Sequence, residues 1–145
     1  MRTIRVSFND IANVSGVFYV RTEAMVLGYD IPLDKEFIDD SLDSKYILVL
    51  DDDNKPISTC RINICNGYAK IERVATVSYK RGLGAASIAI KEAESYIKEL
   101  GINLIKITSR EKALDFYLKL GYKIDYTKEK YGEGEFVCLW IYKEI

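Results

Sequence analysis

The sequence predicts an α/β (α+β) protein built on a mixed central sheet with helices on both faces. Three observations carry this. Short apolar or alternating runs, such as residues 46–50 and 57–65, are bounded by turn residues and read as strands. Two amphipathic stretches, 83–100 and 111–120, each stop at a glycine, Gly101 and Gly121. Strand-like and helix-like segments follow one another as β-α-α-β-β-β-α-β-α-β-β, with no repeat, linker or low-complexity segment between them. At 145 residues the chain is expected to form one domain, 1–145, long enough to bury a core without staples.

The elements are justified in turn. Thr3 to Phe8 alternates as a strand does. Asn9 or Asp10 can cap the next helix, with Ile11, Val14, Phe18 and Met25 roughly along one face and Gly28 and Pro32 ending it. A short acidic helix or loop covers 34–44. Residues 46–50 form a wholly apolar strand, and Asp51 to Pro56 form a turn into the strand 57–65. Asn66-Gly67 is a strong hairpin signal leading into strand 68–77. Helix 83–100 carries Ala86, Ala89, Ile90, Ala93, Ile97 and Leu100 on its apolar face. Residues 104–107 read as a buried strand and 111–120 as a helix. Strands over 122–130 and 135–143 are expected around Gly132-Glu133-Gly134.

Composition excludes several classes. Hydrophobic residues make up 48% and charged residues 30%, as in soluble globular proteins. A net charge of −1 offers no electrostatic basis for nucleic-acid or membrane-surface binding. No apolar run approaches the ~20 residues that span a bilayer. Arg2, Arg5 and Asp10 interrupt any signal-peptide core, so a cytoplasmic location is expected. Cys60, Cys65 and Cys138 do not make a disulfide framework and read as reduced thiols. The chain has no histidine. That removes histidine-dependent nucleophilic machinery and imidazole zinc sites, and no metal is expected.

The run Arg81-Gly82-Leu83-Gly84-Ala85-Ala86 lies between a strand and a long helix. A glycine turn at a helix start leaves unpaired N–H groups at the positive end of the helix dipole, an anion site suited to pyrophosphate. Arg81 adds a flanking cation. The patterns of a nucleoside triphosphatase loop and of a dinucleotide-binding unit are both absent.

Arg81, Gly84 and Ala86 resemble the acyl-CoA pyrophosphate motif R/Q-x-x-G-x-G/A of the GNAT superfamily of N-acetyltransferases. The stretch from Ala113 through Phe116 and Tyr117 to Gly121 and Tyr122 is similar to that family's second signature, A-x-x-F-Y-x-x-x-G-F/Y. Tyr19 to Glu23, Ile31-Pro32 and Glu36-Phe37 point to a branch of small stand-alone bacterial members. The resemblance covers essentially the whole chain. It implies a mostly antiparallel sheet whose fourth and fifth strands splay apart around the pantetheine arm, and acetyl-CoA as acyl donor. The backbone of Val74, Ala75 and Thr76 would meet the arm, and the amides of Gly82, Leu83, Gly84, Ala85, Ala86 and Ser87 the phosphates, beside Arg81.

The same resemblance makes Tyr117 the candidate general acid for the leaving thiolate, since a phenol of pKa ~10 can donate to a thiol of ~8.5. Shared helix spacing with Ala113, Phe116 and Leu120 equally fits a core aromatic. Glu72 is the candidate base, against the plainer reading of a strand carboxylate paired with a neighbouring cation. Arg21 and Glu23 are candidates to line the acceptor side, and Asp39, Asp40 and Asp43 to attract a cationic acceptor. Arg110 stands where many members carry Asn. The acceptor implied is a small-molecule or peptide amine, and a homodimer stays open. Two rival readings remain: a non-catalytic acyl-CoA-binding module, and a synthase of acylated signalling molecules on the same scaffold.

Overall fold

A computed structural model describes residues 1–145. The chain runs through β1 (Arg2–Ser7), α1 (Ile11–Arg21), α2 (Leu33–Glu36), β2 (Lys45–Leu50), β3 (Pro56–Ile64), β4 (Ala69–Thr76), α3 (Ala85–Glu99), β5 (Leu104–Arg110), α4 (Leu114–Lys119), β6 (Lys123–Ile124) and β7 (Cys138–Glu144). The sheet has seven strands in the order β1-β2-β3-β4-β5-β7-β6. Every neighbouring pair is antiparallel except β4 and β5.

Strand β2 shows how the layers assemble. Its alternate residues Tyr46, Leu48 and Leu50 join Val14 and Val17 of α1, while Ile47 and Val49 join Ala89, Ile90 and Ala93 of α3. A strand covered on both faces needs no polar alternation, which is why this one is wholly apolar. Helices therefore cover both faces of the sheet, as the element order predicts.

Three segments differ from the expectation. First, α1 buries Val14, Val17, Val20 and Ala24, whereas Ile11 is 80% exposed. Two apolar stripes compete along this helix, and the valine stripe lets the backbone lie closer to the sheet. Its Asp10 cap is as expected, the side chain accepting from Asn13 N. The helix continues through a π-helical turn over Thr22–Leu27 to Gly28. A Cβ at Gly28 would lie 2.3 Å from the Ala24 carbonyl oxygen, so only glycine fits there. Second, α3 begins at Ala85, because Gly84 takes left-handed dihedrals (φ 85°). Third, strand 122–130 shrinks to β6. The Asp125 carboxylate accepts from Thr127 N at 3.0 Å and turns the chain, and Tyr131 regains only a bridge to Cys138.

Between α1, α2 and the sheet lies a buried ionic cluster. Arg21, 1% exposed, donates from Nε to Glu36 Oε2 at 2.9 Å, and its two terminal nitrogens donate to the two oxygens of Asp40 at 2.8 Å each. The Tyr46 hydroxyl also donates to Asp40, at 2.6 Å, and Arg61 approaches it at 3.2 Å. Arg61 in turn bonds Glu72. The Arg21 guanidinium lies 4.5 Å from the Phe37 ring centroid. These bonds hold α2, a helix too short to persist alone, against α1 and β3.

Replacing Arg21 by Leu should leave Glu36 and Asp40 buried without their main partner and cost about 3–5 kcal/mol in urea unfolding at neutral pH. The pH dependence has a defined sign. Burial alone would raise the Asp40 carboxyl, but bonds from Arg21 and Tyr46 and the charges of Arg21 and Arg61 outweigh it and hold it below the usual range. Its contribution is present above the unfolded value of ~3.9 and is lost as pH falls through the lower folded value. Without Arg21 the folded Asp40 carboxyl moves back toward its unfolded value, so urea midpoints measured from neutral pH to about pH 3 should fall less steeply in the Arg21→Leu protein than in the parent, and the gap between the two should narrow on acidification.

Candidate active site

Strands β4 and β5 pair only at Ala69 with Ile105 and Lys70 with Lys106, then part. From Ile71 onward the β5-facing edge of β4 has no strand partner, so its N–H and C=O groups border the gap. A cleft of about 960 Å³ fills the opening. Its size lies within the range of sites that hold cofactor-sized ligands.

Beta strand β4 is also bulged. Thr59 pairs with Ala75 but Arg61 pairs with Glu72, so β4 carries one residue more than β3 between them. Arg73 takes a positive φ of 51° at this point. A non-glycine residue in that region is costly and marks positions where strand geometry is set by a site. Val74, Ala75 and Thr76, just beyond the bulge, line the cleft as expected from the sequence.

At the far end of β4 the chain makes the glycine turn. None of the amides of residues 82–87 donates a hydrogen bond within the protein, and the cap of α3 has no side-chain bond. A Cβ built on Gly84 would meet nothing within 4 Å, so the space over this turn is open. Gly82, Gly84, Ala85, Ala86, Ser87 and Arg81 line the cleft there; Leu83 does not, and is 57% exposed. Glu23 does not line the cleft; it accepts from Ser78 N at 2.9 Å and from the Ser78 hydroxyl at 2.5 Å. It thereby ties the end of α1 to the segment that leads into the turn.

Tyr117 of α4 lines the cleft and is 6% exposed, its ring edge-on to Phe116 (4.9 Å) and Tyr122 (5.9 Å). It is thus both a core aromatic and a cleft residue. Burial, with the Cys60 thiol as a lesser cause, pushes its phenol above the ordinary tyrosine range. Glu72 also lines the cleft, but its carboxylate is bonded by Arg61 and approached by Lys70 at 3.9 Å. Arg21 is buried in the ionic cluster and absent from the cleft lining. Asp39 and Asp43 line a separate polar hollow of about 310 Å³, which shares only Glu72 with the main cleft.

The cleft lining also includes residues to which the sequence assigned no chemical role. Tyr29, Lys35 and Glu36 come from α2 and the loop before it, Arg73 from the bulge, and Phe136 from the segment before β7. Arg110, at the end of β5, lies 4.9 Å from the Tyr29 ring centroid and 5.0 Å from that of Phe136. It donates to the Tyr29 hydroxyl at 3.1 Å and to the Glu135 carbonyl at 2.9 Å. Tyr29, Arg110 and Phe136 all line the cleft. Arg110 was visible in the sequence only as an unusual residue at its position; Tyr29 and Phe136 left no signal, because they are distant in the chain.

Comparison with known proteins agrees with this architecture. The model of the acetyltransferase (GNAT) family matches residues 15–122. The N-acetyltransferase YjcF of Bacillus subtilis is 30% identical over 117 residues, which cover 81% of this chain and 83% of YjcF. The crystal structure of a Lactobacillus plantarum protein designated an N-acetyltransferase superposes with a TM-score of 0.87 at 23% identity, covering 99% of each chain. The PaiA N-acetyltransferase of Thermoplasma acidophilum, crystallised in complex with coenzyme A, superposes at 0.73 with 15% identity over 100% of both chains. With a parted strand pair, a free-amide helix start and a family match over most of its length, the chain belongs to the GNAT family of acetyltransferases.

Proposed function

We propose that the protein is an acetyl-CoA-dependent N-acetyltransferase that passes the acetyl group directly to a primary amine within a ternary complex. The observation that carries this reading is the continuity of one cleft from the unpaired amides of residues 82–87 along the free edge of β4. The amides and Arg81 suit a pyrophosphate, and the strand edge suits the amide groups of a pantetheine arm. The coenzyme A complex of the T. acidophilum protein, which shares the fold, supports this donor class.

In this mechanism the backbone near Val74 to Thr76 polarises the thioester carbonyl, the amine nitrogen attacks the carbonyl carbon, and the carbon–sulfur bond breaks. Tyr117 donates to the sulfur as negative charge develops there, and the proton shed by the amine restores the balance through water or a carboxylate. A phenol raised above the thiol's range stays protonated at every working pH, which an acid requires. Glu72 is the candidate carboxylate base, and its bond from Arg61 opposes that role by occupying one of its oxygens.

Direct attack is favoured over an acyl-enzyme by the available nucleophiles. There is no histidine, and burial pushes the Cys60 thiol up to about 12, where it is protonated. Cys65 and Cys138 do not line the cleft. Three free thiols fit a reducing compartment, and a cytoplasmic site of action belongs to the same reading, as does the treatment of residues 1–145 as one catalytic domain.

Gly84→Asp should abolish acetyl-CoA binding in calorimetry while circular dichroism stays that of the parent, because it sets a carboxylate over the phosphate site. Unchanged affinity would show that the site is misplaced. Tyr117→Phe should lower turnover by at least about tenfold with little change in acetyl-CoA affinity. With no imidazole, kcat/KM should climb from neutral into alkaline pH as the acceptor amine deprotonates toward its pKa of ~10. Because the Tyr117 phenol is raised, the falling limb should lie above ~10 and should be absent in the Phe protein. Glu72→Gln should shift the rising limb upward if Glu72 is the base; superimposable profiles would remove it from the mechanism.

A further inference from the structure

Most charged side chains that line the cleft are already engaged. Arg110 is held by Tyr29 and Glu135, Lys80 pairs with Asp51 at 3.6 Å, Glu72 is bonded by Arg61, and Arg81 lies at the glycine turn. Arg73 is different. Its guanidinium makes no hydrogen bond, and its nearest anions, Asp39 Oδ2 at 3.5 Å and Glu36 Oε1 at 3.6 Å, lie beyond good hydrogen-bond distance. Glu36, 1% exposed, keeps that Oε1 atom without any hydrogen-bond partner, although its other oxygen is taken by Arg21. The bulge holds the Arg73 backbone at a positive φ, so a costly conformation presents an arginine whose donors are unused. Lys35, one residue before Glu36, lines the same cleft, exposed and outside every ion pair.

Arg73, held by Asp39 and Glu36 only at 3.5 and 3.6 Å, and Lys35, which has no ion pair, both have hydrogen-bond donors to offer a ligand in the cleft. They favour a carboxylate, which the arginine fork matches in a bidentate manner. Asp30 also lines the cleft without a partner, and its charge favours an ammonium over a second carboxylate. Tyr29 and Arg110, bonded to each other, line the same cleft. Resting on the N-acetyltransferase reading above, we propose that the acceptor is a free amino acid, held by its carboxylate on Arg73 and Lys35 while its amine faces the thioester. Polyamines and protein lysines lack that carboxylate.

The test begins with calorimetry of acetyl-CoA binding, which isolates the parent reading; a protein that binds none overturns that reading and this one with it. Thiol release is then followed with neutral α-amino acids, with the corresponding amino acid carboxamides, and with 1,4-diaminobutane. The amino acids should exceed their carboxamides at least tenfold in kcat/KM, as the loss of a charge-assisted contact predicts, and should exceed the diamine. Lys35→Gln, a surface change, should raise KM for the amino acid several-fold at unchanged kcat and leave the carboxamide unaffected. Arg73→Gln should do the same more strongly, with Arg73→Lys recovering part of the loss; should Arg73 variants not fold, Lys35→Gln and the carboxamide comparison decide. Equal rates for amino acid and carboxamide, preference for the diamine, or acetyl-CoA binding with no amino acid turned over would each overturn the proposal.

Discussion

The parting of β4 from β5 is the constraint on which the rest of the molecule depends. Parallel strands normally pair along their whole length, because an unpaired edge inside a protein leaves donors and acceptors without partners. Here pairing stops after Lys70 and Lys106. The gap is held open from both sides. The bulge at Arg73 bends β4, and β5 is drawn into the antiparallel ladder with β7 from Leu104 to Arg110. Tyr117 of α4 packs at the cleft's inner wall. The edge that results is a ready-made surface for an extended ligand with amide groups of its own.

A second constraint holds the cleft's other wall. Helix α2 has four residues and buries little, so its position comes from Glu36, whose carboxylate and carbonyl both accept from Arg21. Isolated buried ion pairs are poor sources of stability, because desolvation opposes their attraction. This cluster is better understood as a positioning device. Arg21, Asp40, Tyr46, Arg61 and Glu72 form a continuous chain of contacts from α1 through β2 and β3 to β4. The cleft wall near the bulge and the helix beside it are thus set by the same charges.

The two ends of the cleft differ in how far they are readable from sequence. The glycine turn is local: Gly82, Gly84 and the start of α3 lie within a few residues, and their dihedrals and free amides follow from residue type and helix polarity. Helix ends at Gly101 and Gly121 are legible for the same reason, with φ values of 82° and 94°. The face of α1 was not, since the Ile11–Phe18–Met25 stripe and the valine stripe are equally apolar and only docking on the sheet selects one. Nor was the loss of strand 122–130, where an Asp125 turn overrides β-branched and aromatic residues. Arg21 and Glu23 stand in the sequence as candidates for the acceptor side through the family resemblance, but a sequence gives no sign that one is buried against Asp40 and the other bonds Ser78.

By itself the sequence determined the order of elements, the coverage of both sheet faces, the glycine turn at the start of α3 and the absence of imidazole chemistry. Each of these depends on residue type and short-range spacing, which periodicity and capping make explicit. Tertiary structure alone decided where β4 leaves β5, that the extra residue of the bulge falls at Arg73, and that Tyr29, Arg110 and Phe136 meet in the cleft lining. It also decided that Glu72 is bonded to Arg61 while Arg73 is held only by longer ion pairs with Glu36 and Asp39. These are long-range pairings, and the physical reason they escape the sequence is that a charged side chain carries no mark of which distant partner will take up its hydrogen bonds.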